Sequence, residues 1–291
     1  MENNISNKGN EVSPMQIIKY RWENFQPMFI VNNGSIGKMR LFDTDVNFSI
    51  GKKRCIGSFI KGSYQSCPNN REIAYGYHCN ECRLNDDFFL CVQCDGSECI
   101  NKKRRSDCEE EQYFIYLAAF DSLLKVGISL DRRIMERLVE QGADFGAKIA
   151  TIKDGKEVRL IEQRIKKELD LPDRVLGEEK YERLFCNPNN AAAAIYKTIL
   201  KLRALMPEHM IYPEIFDMRK HYKLQNVAIK PRHTEIQETM KLSGKVVAAK
   251  GNIMVLQNDA GFHAINAHIC TADPHGVFRC PRPRRVIFSR D

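Results

Sequence analysis

The sequence predicts an α+β protein, built on a small central β-sheet flanked by helices. A cysteine-rich stretch precedes that core, and small β segments accompany it at both ends. Three observations carry the prediction. Residues 111–206 read as a strand pair followed by amphipathic helices, eight of the eleven cysteines fall between 55 and 108, and strand-like alternation lies on both sides.

The elements follow in order. Residues 1–13, beginning MENNISNKGNEV, carry no apolar period and read as a disordered N-terminus. Residues 14–54 form an N-terminal β segment of short apolar runs, such as MFIVNNGSIGKMRLF, in which Asn33-Gly34 is a hairpin-turn pair. Residues 55–110 are polar, cysteine-rich and closed by the basic run Lys102-Lys103-Arg104-Arg105. The αβ core occupies 111–206, and a proline-interrupted connector (PEHMIYPEIF) opens 207–241. Residues 242–291 form a β meander from KVVAA, IMVLQ and FHAINAHI.

Composition narrows the function classes. The chain is 43% apolar and 28% charged, enough for a core, and no apolar run reaches the ~18 to 20 residues that span a bilayer. The polar N-terminus lacks a charged-then-apolar leader, so the expectation is a cytoplasmic chain with no membrane partner. The net charge of +8 favours an anionic partner, nucleic acid first.

In a reducing compartment, clustered cysteines point to metal rather than to disulfides. Cys79-x2-Cys82 and Cys91-x2-Cys94 are two knuckles across a short span, a spacing that suits tetrahedral structural Zn²⁺. Eight cysteines also allow a second zinc site, drawn from Cys55, Cys67, Cys99 and Cys108, with His78 as a reserve ligand. Such closed thiolate sites would stabilise a segment that lacks a core of its own. Cys270-x4-His275-x4-Cys280 is a looser pattern near the C-terminus.

Within the core, YFIYLAAF and LLKVGI pair across a two-residue loop at Asp121-Ser122. That register puts Tyr116 opposite Gly127 and Ala118 opposite Lys125, so Tyr116 and Lys125 are diagonal neighbours flanking a shallow hollow. Leu117, Leu124 and Val126 point the other way. A helix follows, started by Ser129 or Asp131 and ended by Gly142, with Arg133 and Arg137 on one face. The next helix, about 156–169, buries Val158, Ile161, Ile165 and Leu169. Glu162 falls within that stripe, about 40° from Val158, and a carboxylate there needs a partner. Taken singly, Tyr116 reads as a core tyrosine, Lys125 and the arginines as solvated, and Glu162 as an arginine's partner. Their conjunction within fifty residues is what points to chemistry.

These residues resemble the GIY-YIG nuclease superfamily. Its first motif corresponds to Phe114-Ile115-Tyr116 and its second to Lys125-Val126-Gly127-Ile128-Ser129. Arg137 (or Arg133) and Glu162 correspond to its helical arginine and glutamate, and Tyr181-Glu182-Arg183-Leu184-Phe185 resembles the end of that domain. Most of the chain is also similar to an archaeal and bacterial family of unknown function, domain of unknown function 2797. That similarity rests on Tyr116-Leu117-Ala118, Lys125-Val126-Gly127 and Gln141-Gly142-Ala143 beside the cysteine-rich segment.

The resemblance implies a metal-dependent phosphodiesterase. Glu162 would hold Mg²⁺ or Mn²⁺, Tyr116 would position or deprotonate water, and Arg137 would neutralise phosphate charge. The first motif lacks its glycine, and Lys125 replaces the second tyrosine; Lys125 would contact phosphate or favour the Tyr116 phenolate. Asn187, Asn189 and Asn190 are the candidates for a late asparagine of that superfamily. Three functions follow: a nuclease-like hydrolase, a non-catalytic zinc-containing nucleic-acid-binding protein, or another enzyme acting on a small anionic or nucleotide substrate.

Overall fold

The computed structural model describes residues 15–172, 175–237, 240–268 and 286–288. The disordered reading of residues 1–13 and the Cys270, His275 and Cys280 pattern therefore lie outside the described residues. The chain is a mixed α+β protein with several small sheets.

β1 (Gln16–Glu23), β2 (Gln26–Asn32) and β3 (Ile36–Arg40) form an antiparallel meander. Gly34 turns the chain between β2 and β3 at φ 105°, its N–H donated to the Asn32 side chain 3.1 Å away. β4 (Asp45–Ile50) then leaves this sheet. The cysteine-rich stretch holds the hairpin of β5 (Ser58–Ile60) and β6 (Ser63–Gln65). Three short helices complete it: α1 (Asn80–Asn85), α2 (Phe89–Gln93) and α3 (Arg105–Glu110). Of these helices' residues, only Cys82 is buried, so this stretch has little apolar support of its own.

The core continues with β7 (Gln112–Phe120), β8 (Leu123–Leu130), α4 (Ile134–Gln141), β9 (Phe145–Lys153) and α5 (Gly155–Leu169). α6 (Gly177–Glu182), α7 (Pro188–Leu205) and β10 (Met210–Asp217) follow. The strands lie antiparallel in the order β10-β9-β7-β8. The β7–β8 register pairs Phe120 with Leu123, Ala118 with Lys125 and Tyr116 with Gly127, as the two-residue loop requires. β10 falls within the stretch read as connector. Its Pro213 has no N–H to donate, and the strand accordingly lies at the sheet edge with a register shift between Met210 and Glu214.

Side-chain alternation divides the sheet between two cores. Ile115, Leu117, Leu124, Val126 and Ile149 cluster with Val158, Ile161 and Ile165 of α5 and with Ile195 and Ile199 of α7. Tyr116, Ala118 and Phe120 face the opposite way and are equally buried. They share a cluster with Ile134 and Leu138 of α4 and with Trp22 and Phe48 from the N-terminal segment. The Tyr116 face, read as bordering a shallow hollow, is a second core, because the terminal segments fold back over it.

Those segments combine. β11 (Arg232–His233), β12 (Lys241–Lys250), β13 (Ile253–Asn258), β14 (Gly261–Asn266) and β15 (Val286–Phe288) join β4 in one sheet, ordered β11-β14-β13-β12-β4-β15. Trp22, fully buried, donates its Nε1–H to the Gly251 carbonyl at 2.9 Å and locks β1 against the β12–β13 turn. Truncating a buried tryptophan of this kind costs about 3–5 kcal/mol. No helix among the described residues is long and apolar enough to cross a membrane.

Candidate functional site

A cavity of about 970 Å³ opens between β1, the cysteine-rich stretch, β8, α4 and α5. Tyr116, Lys125, Arg133, Arg137 and Glu162 all line it. Their convergence follows from topology: β8 is an edge strand, and α4 and α5 both contact it. Tyr116 of β7 lies opposite Gly127 of that edge strand, beside a register shift of β7 against β9 between Ile115 and Tyr116.

The phenol of Tyr116 occupies the space that Gly127 leaves. A Cβ on Gly127 would stand 2.6 Å from the Tyr116 Oη, so the hollow expected between these residues is filled by the ring itself. Burial raises the phenol's pKa and outweighs the opposing pull of Arg137, while Glu162 adds to the rise. Arg137, not Lys125, is the cation that most favours its phenolate. Lys125 instead directs its Nζ to Gln141 Oε1 at 3.4 Å, which brings the Lys-Val-Gly and Gln-Gly-Ala motifs into contact.

Arg133, just before α4, and Arg137 on it reach the same carboxylate. Glu140 accepts from Arg137 at 2.8 Å and lies 3.6 Å from Arg133. Both arginines line the cavity, with Arg137 the less exposed and the one acting on Tyr116. The charge of Arg137 is held firmly: burial opposes it, but Tyr116 and Glu140 outweigh that cost.

Glu162 is only 4% exposed on the inner face of α5. One oxygen lies 3.5 Å from Arg159 and the other 3.4 Å from Lys166, one helical turn to either side. The partner required by a carboxylate on an apolar stripe is thus supplied by its own helix. Arg159 and Lys166 could be found in the sequence from their i−3 and i+4 spacing to Glu162. Lys19 and Arg21, which approach from β1, could not, because only tertiary packing brings β1 here. Altogether eight lysines and arginines face three carboxylates around the cavity.

The late asparagines lie elsewhere. Asn187 caps α7, accepting from the Asn189 N–H, and Asn190 donates to Asp121 at the β7–β8 turn, 2.6 Å away. None of the three lines the cavity.

The cysteines partition differently from their order in the sequence. Cys55, Cys67, Cys79 and Cys82 gather with their sulfurs within 4.8 Å of one another. Cys79 and Cys82 keep the expected company of one knuckle, but Cys91 and Cys94 are not their partners, and Cys55 and Cys67 do not join Cys99 and Cys108. The β5–β6 hairpin is the physical reason. It folds the chain back on itself and returns Cys67 to Cys55, level with the start of α1. The Cys79 N–H donates to Cys55 Sγ at 3.1 Å, and Cys67 and Cys79 sulfurs lie 4.0 Å apart.

This spacing suits a metal. A tetrahedron of sulfurs about 2.3 Å from Zn²⁺ has edges of roughly 3.8 Å, so only small rotations separate these thiols from a closed site. Packing alone does not favour four thiolates: burial pushes the Cys55 thiol up to about 11. A bound cation would reverse that preference. His78 lies outside the group, its Nδ1 2.6 Å from the Gly57 carbonyl oxygen.

A family profile described as "Protein of unknown function (DUF2797)" matches residues 44–271. No curated protein and no solved structure matches the chain.

Proposed function

The chain belongs to the DUF2797 family, and we propose that it is a divalent-metal-dependent phosphodiesterase acting on nucleic acid, with a structural zinc centre at Cys55, Cys67, Cys79 and Cys82. One observation carries this reading. Tyr116, Arg137 and Glu162 line a single cavity in which cations outnumber carboxylates, the polarity that a phosphodiester backbone seeks. The GIY-YIG-like reading of the central sheet is supported by the antiparallel β7–β8 hairpin followed by α4 and α5, which carry the arginine and the glutamate.

Each side chain has a role that its surroundings support. Arg137, its charge secured by Glu140, stabilises the negative charge that grows on the scissile phosphate. Lys125, Arg133 and Arg159 grip flanking phosphates. Tyr116, held as a phenol, orients water by hydrogen bonding rather than by abstracting a proton at rest. Glu162 is the single carboxylate on which Mg²⁺ or Mn²⁺ would sit, a sparse donor set that suits an ion also bound by substrate phosphate. Such an ion would supply Lewis-acid polarisation of the phosphoryl oxygen.

A second reading, a nucleic-acid-binding protein without hydrolysis, is favoured by Arg159 and Lys166. They already occupy both oxygens of Glu162, and a metal would have to displace them.

The deciding experiment incubates the full chain with labelled single- and double-stranded DNA and RNA, with and without Mn²⁺, beside Glu162→Ala. Mn²⁺-dependent cleavage that disappears in the variant supports hydrolysis. Salt-sensitive binding without cleavage overturns hydrolysis and leaves the binding reading. No interaction at low salt overturns both.

A further inference from the structure

Four cysteines of the cysteine-rich stretch remain once Cys55, Cys67, Cys79 and Cys82 are assigned to one centre: Cys91, Cys94, Cys99 and Cys108, all half-buried. We propose that these four form a second metal site, a thiolate centre of the Zn²⁺ type, which ties the cysteine-rich stretch to the N-terminal half of α5.

The sequence order suits such a site. Cys91-x2-Cys94 is a knuckle whose turn is closed by the Cys94 N–H on the Cys91 carbonyl at 3.4 Å. Cys99 and Cys108 follow at short range. Asn101, only 7% exposed, links two of the thiols: its side chain donates to Cys91 Sγ at 3.1 Å, and its carbonyl lies 3.5 Å from Cys99 Sγ. An amide N–H aimed at sulfur is the outer support that a metal-bound thiolate uses. Cys108 lies against Gly155 at the start of α5, with the Tyr113 hydroxyl 3.8 Å from its sulfur.

The sulfurs do not close to the 4.8 Å that encloses the first group. A metal would have to draw them together. What the structure already holds is the approach of the two parts. Gly96, between Cys94 and Cys99, packs so closely on α5 that a Cβ there would stand 2.8 Å from the Arg159 Cβ and from the Leu160 nitrogen. The contact lies one turn from Glu162. The clamp therefore presses on the helix that carries Arg159, Glu162 and Lys166 into the cavity. The assignment stands whether or not the cavity hydrolyses anything.

Metal counting on the full chain tests it. Elemental analysis is expected to find two zinc ions per chain, one in Cys94→Ser, one in Cys67→Ser and none in the double variant. One ion in the unaltered chain, or two in Cys94→Ser, overturns the proposal. Because a variant can fail to fold, the unaltered protein supplies an independent measure. Alkylation of native protein, mapped by mass spectrometry, should spare Cys91, Cys94, Cys99 and Cys108 until a chelator is added. Equal labelling of these four with and without chelator would overturn the site, and would leave them as free or redox-active thiols.

Discussion

The Tyr116 ring lies across Gly127 so closely that a Cβ at residue 127 would stand 2.7 Å from the phenol Cζ and 2.6 Å from its oxygen. Tyr116 is 1% exposed and shares a core cluster with Trp22 and Leu138, so displacing its ring disturbs packed neighbours. Gly127→Ala should therefore destabilise the protein by about 1–3 kcal/mol through overpacking. In Tyr116→Ala, which removes the ring, the same alanine should cost far less. A double-mutant cycle in urea checks this, and additive effects would mean that the two residues do not share the space.

Part of this was legible in the sequence. The two-residue loop and strand parity fix which residues oppose Tyr116 and Lys125, and helical spacing places Glu162 on the buried face of α5. These are local properties, decided within one hairpin or one helix. The identity of the cover was not legible. Nothing near Tyr116 in sequence announces that Trp22 and Phe48 complete its core, or that β4 pairs with β12 nearly two hundred residues later. The grouping of the cysteines was hidden for a related reason. Sequence nearness suggests Cys91 and Cys94 as partners for Cys79 and Cys82, whereas the β5–β6 hairpin returns Cys67 to Cys55 from the other direction.

Metal removal should act mainly on the part of the chain that lacks a core. Cys67→Ser is expected to lower the unfolding temperature and to expose residues 55–85 to proteolysis, while the β7–β8 hairpin stays protected in hydrogen exchange. Chelation of the unaltered chain should expose the same residues and extend the exposure to 91–108, with the β7–β8 hairpin still protected. Equal loss of protection in both regions would contradict a separate structural centre.

Glu162→Gln separates the two functional readings. The substitution keeps the size of the side chain but removes the charge between Arg159 and Lys166. For a hydrolase, the Mn²⁺-dependent rate should fall by roughly 10²-fold or more, by analogy with removing one key stabilising group. Nucleic-acid affinity should meanwhile rise, because the cavity loses a negative charge. A binder would show only the rise. An unchanged rate would remove Glu162 from the chemistry.

Acid should loosen the junction between α3 and α5. Asp154 caps α5 by accepting the Lys156 N–H and receives two bonds from Arg105, at 2.6 and 2.7 Å. The Arg105 bonds, opposed by partial burial, hold the Asp154 pKa below its usual value. A carboxylate depressed in the folded state binds its proton less readily there than in the unfolded chain. Its contribution is therefore present above about pH 4, the ordinary range of an aspartate, and is lost as pH falls through the lower folded value. Asp154→Asn keeps a capping oxygen but loses the ion pair, so it should flatten the acid limb of stability below about pH 4. Urea midpoints across that range measure it, and parallel limbs for the two proteins would exclude this pair as a source.

The ion pair between Lys250 and Asp144 should be the most costly to break. The two side chains are only 6% and 8% exposed and meet at 2.5 Å, while the second Asp144 oxygen accepts the Asp121 N–H at 3.0 Å. One carboxylate thus serves both the turn of the β7–β8 hairpin and the end of β12, holding the central sheet to the sheet built from the chain ends. Asp144→Ala would strand a buried ammonium and a buried N–H together, at a cost of about 3–5 kcal/mol. Asp144→Asn can still accept the Asp121 N–H, so it isolates the charge. Lys250→Met in the Asp144→Asn background removes the stranded ammonium and should recover most of the loss. Failure of that rescue would exclude the unpaired charge as the source of the loss.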